Sequence, residues 1–141
     1  MKKRKVQEII DSSHALLGEA VIETAEELSE ALYVFKIDEL IKKRGITQQE
    51  LAVISGMRVG TISDLVNGKG LGINKVQLVA LMVALRVTDI SEILEIRLPE
   101  EIKTTYDMEA YEWTKTKTQP MAIKERYNKH LYNSYKKATL E

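Results

Sequence analysis

Few side chains in this chain have the type and spacing for catalysis. His14 and His130 are the two imidazoles, and nothing in the sequence places them together. With no cysteine, thiolate zinc sites, iron-sulfur clusters, disulfides and cysteine nucleophiles all fall away at once. The run Gly68-Lys69-Gly70-Leu71-Gly72 has the glycines of a phosphate cradle. It lacks the spacing and the following Lys-Ser/Thr of a P-loop, and reads as an inter-helix loop. The acidic pairs Glu26-Glu27 and Glu100-Glu101 read as solvated charge. No nucleophile, base and orienting acid can be assembled. The expectation is a protein without catalytic residues, metal or cofactor, whose chemistry is binding.

The charge pattern says where binding can occur. The 141 residues carry 21 basic and 21 acidic side chains, for a net charge of zero. The zero conceals segregation. Residues 1–5 carry +4, 6–35 carry −7, 36–75 carry +3, 76–112 carry −5 and 113–141 carry +5. A surface that bound polyanions everywhere would not alternate in this way, so any nucleic-acid contact must be local. The mass of 16.1 kDa suits one domain, or a small domain with two extensions. With 44% hydrophobic residues, 7 glycines and 2 prolines, the composition points to a folded chain of helices and short turns. The longest uncharged apolar run, Val76 to Leu85, is about half the ~20 residues a bilayer demands. Glu8 and Asp11 interrupt what would be a signal peptide's apolar region, so the expected location is cytoplasmic, with no membrane partner.

The elements that would position a binding surface are clearest in the middle of the chain. Val34, Ile37, Leu40 and Ile41 recur at helical spacing, and Lys42, Lys43 and Arg44 precede Gly45, which predicts a helix ending near Arg44. Thr47-Gln48-Gln49-Glu50 has the form of a capping box, flanked by Ile46 and Leu51 at staple positions, and predicts a second helix over 48–55. Gly56 permits a tight turn. Ile62, Leu65 and Val66 give a third helix its apolar face, and that helix closes at Asn67-Gly68. Asn74 opens a fourth, with Leu78, Leu81, Met82 and Leu85 toward the core. A fifth, short helix over 91–96 stops before Pro99.

Two short helices joined by a glycine turn, within a group of five, resemble the helix-turn-helix of the Cro and lambda-repressor-like (XRE) family over residues 36–98. The resemblance is carried by Gly45-Ile46-Thr47-Gln48-Gln49-Glu50-Leu51-Ala52, Gly56, Thr61-Ile62-Ser63, Asn67-Gly68-Lys69, and Leu85 with Val87. In physical terms Ala52 is small because the third helix crosses it, Gly56 makes the turn, and Ile62 and Leu65 fill the angle between the helices. The resemblance implies that the third helix enters the major groove of double-stranded DNA, with Arg58, Val59, Gly60, Ser63, Asp64 and Asn67 toward the bases. It further implies that Gln48, Thr61 and Lys69 hold phosphates. Arg58 can read guanine, Asn67 adenine, and Ser63 either. Position 58 holds arginine where the family often has a serine cap. Asp64 repels phosphate unless it accepts from a cytosine amine or pairs with Arg58 or Lys69.

Residues 1–35 read as a helical N-terminal extension. Val6, Ile10, Leu17, Val21, Leu28, Leu32 and Phe35 form a heptad-like stripe, weakened at Gly18, where Asp11-Ser12-Ser13 offers a cap for a second helix. The stripe fits either helices packed on the same chain or a dimerisation or partner-binding surface. Residues 99–141 read as an aromatic, basic C-terminal tail. Thr114 to Thr118 alternates like a short strand or linker, and Ile123, Tyr127, Leu131 and Tyr135 line one face of an amphipathic helix. That helix suits docking on the body, docking on a twin subunit, or a nucleic-acid arm, with His130 as an ordinary exposed residue. The expectation is an all-α, five-helix lambda-repressor-like domain with these two extensions. Its implied function is that of a dimeric bacterial or phage repressor occupying a two-fold operator. The alternative is an antitoxin-like protein that regulates its own operon while an extension clamps a toxin; an antirepressor is a further candidate protein partner.

Overall fold

The computed structural model describes residues 2–13, 17–69 and 72–140. The expectations for His14, Gly70 and Leu71 lie outside the described residues. The chain divides into two compact units, Met1–Leu98 and Pro99–Glu141.

The first unit is mostly helical, and it also holds a sheet, which corrects the all-α expectation. Its order is β1 (Lys2–Lys5), α1 (Val6–Ser13), α2 (Glu19–Glu26), β2 (Leu32–Phe35), α3 (Ile37–Arg44), α4 (Gln48–Ser55), α5 (Val59–Asn67), α6 (Lys75–Leu85), a 3-10 turn over Ile90–Glu92, and β3 (Leu94–Arg97). The three strands are antiparallel in the order β1-β2-β3. Lys2 stands opposite Phe35 and Lys5 opposite Leu32; across the other edge Leu32 faces Arg97 and Phe35 faces Leu94. Leu32-Tyr33-Val34-Phe35 becomes the central strand because aromatic and β-branched side chains suit a pleated surface covered on both faces. Tyr33 and Phe35 share one face, their ring centroids 4.3 Å apart. Burial pushes the Tyr33 hydroxyl above its ordinary range.

The N-terminal heptad stripe is therefore broken into parts. Ile10 of α1 and Ile22 of α2 are buried, whereas Leu17 and Val21 are exposed. After α2 the chain tightens through successive short turns, with Leu28 N–H donating to the Ala25 carbonyl and Ala31 N–H to the Leu28 carbonyl, and then extends into β2. The expected cap is also displaced. Asp11 and Ser12 lie inside α1, where Ser12 Oγ donates to the Ile9 carbonyl, and the N-cap of α2 is Gly18 without a side-chain bond.

The helices from α3 to α6 enclose the core where the periodicity placed it. Ile37, Leu40, Ile41, Leu51, Ile62, Leu65, Leu81 and Leu85 are buried together, with Leu78 and Met82 packed against them. Gly45 ends α3 in the left-handed conformation at φ +67°, and Arg44 Nε donates to the Leu85 carbonyl at the end of α6. Asn74 and Gln77 form a second capping box at the start of α6. The expected fifth helix is instead the 3-10 turn followed by β3. Leu94 and Ile96 alternate there with Glu95 and Arg97, a period of two that a helix does not use. The Arg97 guanidinium, and after it the Lys36 ammonium, hold the Glu95 carboxyl below its usual range.

The second unit consists of α7 (Glu100–Thr116) and α8 (Met121–Leu140). Thr114 to Thr116 continue α7, and the helix stops at Lys117 in the left-handed region, so the expected strand is absent from these described residues. The alternation of threonine and lysine gives a strand no apolar face to bury, and the helical hydrogen bonds prevail. His130 is half-buried rather than exposed, and its Nε2 has no hydrogen-bond partner among the described residues.

Candidate nucleic-acid interface

The pair α4 and α5 is built by local signals. Thr47 Oγ1 accepts from Glu50 N–H at 3.0 Å, and Glu50 Oε1 accepts from Thr47 N–H at 3.3 Å, so the two ends of the box satisfy each other at the start of α4. Gly56 turns the chain at φ +78°, a left-handed value that other residues reach only at a cost. Ser55 Oγ accepts from Met57 N–H and steadies the turn. Arg58 then stands in extended conformation as the N-cap of α5 and makes no side-chain capping bond. The guanidinium is thus not spent on the helix.

Burial divides α5 into two faces. Ile62, Leu65 and Val66 are buried against the core. Arg58, Val59, Gly60 and Asp64 are exposed, and Ser63 and Asn67 are half-buried beside them. A Cβ built on Gly60 meets nothing within 4 Å, so this position is open to whatever approaches the helix. The six residues assigned to base contact thus share the side of α5 turned away from the core. Gln48 is half-buried at the first turn of α4, Thr61 half-buried along α5, and Lys69 exposed beyond its end. Thr61 and Arg58 also line a shallow cleft with Met57 and with Val76 and Gln77 of α6.

Two of these residues differ from the simple reading. Asn67 Nδ2 donates to the Ser63 carbonyl at 2.9 Å and lies 3.4 Å from Ser63 Oγ, so both polar groups are already held within the helix. Asp64 forms no ion pair with Arg58 or Lys69 among the described residues; its carbonyl instead accepts from Lys69 N–H at 2.8 Å. Its carboxylate remains on the outward face.

Sequence reasoning left out Lys3 and Arg4. The edge strand β1 brings them to the C-terminal end of α5, where Arg4 Nε donates to the Asn67 carbonyl at 2.9 Å and Arg4 Nη1 pairs with Glu8 at 3.3 Å. Lys3, Arg4, Asn67 and Lys69 surround one cleft together with Glu8. The +4 charge of residues 1–5 was the available signal, but nothing in the spacing tied it to residue 67. Among the described residues no group of three or more potential metal ligands gathers, and no helix is long and apolar enough to cross a membrane.

A capped helix, a glycine turn and a second helix with one face in the core and one outward define a helix-turn-helix DNA-binding domain. Residues 36–98 match the family of Cro/C1-type HTH DNA-binding domains, and this part of the chain is a Cro/XRE-like helix-turn-helix. No curated protein and no solved structure matches the chain.

Proposed function

We propose that the protein is a transcriptional repressor of bacterial or phage type, acting in the cytoplasm as a homodimer that occupies a two-fold operator in promoter DNA. The observation that carries this reading is the outward face of α5, where an uncommitted Arg58, a side-chain-free Gly60 and Ser63 stand on one side of a helix whose other side is locked in the core. With the C-terminal end of α5 bonded to Arg4, the N-terminal half of the helix supplies the base reading. Arg58 takes guanine O6 and N7 as a fork, Val59 gives apolar contact to a thymine methyl, and Ser63 donates or accepts. Asn67 reads adenine only by leaving Ser63, and Asp64 selects a cytosine amine. Gln48, Thr61 and Lys69 hold phosphates, and Lys3 and Arg4 extend that backbone contact beyond residues 36–98.

Selection of bound DNA from a random pool tests the whole reading: a palindrome is expected, and a pool with no enriched sequence overturns it. On the selected site Arg58→Ala is expected to cost about 1–3 kcal/mol and to relax preference at one base pair in each half-site. Lys69→Ala is expected to weaken operator and scrambled DNA alike and to flatten the salt dependence by about one unit. Titrations at several salt concentrations measure both. If Arg58→Ala lowers the two affinities equally, the arginine does not read a base.

A further inference from the structure

The unit formed by α7 and α8 lacks what a folded unit of its size needs. Among its described residues none is buried. Tyr111, Trp113, Tyr127, Leu131 and Tyr135 are 65%, 38%, 58%, 44% and 70% exposed. Units of about 40 residues are marginal alone and usually rely on disulfides, metals or association. This chain has no cysteine, and its described residues gather no metal ligands, which leaves association. Aromatic residues exposed in such number are the composition of an interface core.

The charges identify the partner. Helix α7 carries Glu100, Glu101, Asp107, Glu109 and Glu112 against Lys103 and Lys115, a net −3. Helix α8 carries Lys124, Arg126, Lys129, Lys136 and Lys137 against Glu125, a net +4 with its histidine neutral. Each helix has an apolar stripe at helical spacing, Ile102-Tyr106-Trp113 on α7 and Ile123-Tyr127-Leu131 on α8. Glu101 and Glu112 run along the flank of the α7 stripe and Glu109 lies within it, while Lys124, Arg126 and Lys137 flank the stripe of α8.

We infer that a second copy of this chain covers the unit, with α7 of each copy packed on α8 of the other around a two-fold axis. The symmetry uses the opposite charges twice, because the acidic helix of each copy meets the basic helix of its partner. Packing like on like would place −3 on −3 and +4 on +4. The inference deepens the dimer in the proposed function by naming its surface; it is decided by sedimentation, whereas the operator reading is decided by selection of bound DNA, so the two failures are distinguishable.

The test reverses the charges of one helix at a time in the full chain. One variant carries Lys124→Glu, Arg126→Glu and Lys137→Glu, which makes both helices acidic; the other carries Glu101→Lys, Glu109→Lys and Glu112→Lys, which makes both basic. Sedimentation at about 10 µM, a concentration that reports micromolar association, is expected to show a wild-type dimer and each variant alone as a monomer. The equimolar mixture should sediment as a dimer, because both interfaces of the mixed pair regain opposite charge. Any helicity a variant loses alone, measured by circular dichroism, should return on mixing. A monomeric wild type overturns the proposal, as do variants that dimerise as well as the wild type. Monomeric variants that fail to associate on mixing also overturn it, since the charges then serve contacts within one chain. A wild-type monomer whose α8 variant loses only DNA affinity overturns it in favour of a nucleic-acid arm.

Discussion

Gly60→Glu is expected to abolish operator binding while leaving the fold intact. Gly60 is the second residue of α5, exposed, with nothing within 4 Å of a built Cβ, so the side chain has room in the free protein. A carboxylate in the first turn of a helix meets the positive end of the helix dipole and stabilises it by about 0.3–1 kcal/mol at an exposed site. Replacing glycine within the helix adds a further gain of about 0.5–1 kcal/mol by restricting the unfolded chain. The folded protein should therefore be as stable as the wild type or slightly more so. In the complex the same carboxylate enters the most negative surface the protein meets. Like-charge contacts across an interface cost several kcal/mol, so binding should fall by about 100-fold or more. Thermal unfolding and operator titration, made on one preparation, separate the two effects. If the variant binds DNA as the wild type does, the outward face of α5 is not the surface that meets DNA.

How much of this surface was legible in the sequence follows from how local its signals are. The start of α4, the turn at Gly56 and the end of α5 are each set within a few residues, by Thr47 with Glu50, by one left-handed glycine, and by Asn67-Gly68, and all were readable. The strands were not, for different reasons. Lys2 to Lys5 has no apolar alternation and becomes a strand only because the backbone of Leu32 to Phe35 offers it a partner far along the chain. The run Leu32-Tyr33-Val34-Phe35 did carry strand character, but its spacing also continued the helical stripe from Val6, and periodicity cannot separate the two in so short a run. Leu94 to Arg97 alternates too, but four residues are too few for periodicity to separate a strand from the short helix expected there. The basic run of residues 2–5 likewise showed its charge but not its place beside α5. That place depends on the bond from Arg4 to the Asn67 carbonyl, between positions far apart in the chain, which no local pattern records.

That joint between the sheet and the end of α5 is the basis of the last prediction, in which Gly68→Ala destabilises the protein by about 2–5 kcal/mol. Gly68 follows α5 at φ +69°, where a left-handed residue with a Cβ costs roughly 1–2 kcal/mol. A Cβ there would also lie 2.5 Å from Phe35 Cε2 and 2.8 Å from Arg4 Cδ. The Arg4 side chain can move, at the expense of its bond to the Asn67 carbonyl. Phe35 cannot move cheaply, because it is buried and its ring lies tilted against Tyr33 in the central strand. Crowding of this kind adds about 1–3 kcal/mol to the conformational cost. Gly45 supplies the comparison within the same protein: it ends α3 at φ +67° with nothing within 4 Å of its Cβ, so Gly45→Ala incurs the conformational cost alone. Urea unfolding of both variants should show Gly68→Ala the less stable by the crowding increment, with similar denaturant slopes. Equal losses at the two positions would mean that the end of α5 does not bear on Phe35. The placement of Lys3 and Arg4 beside α5 would then lose its structural support.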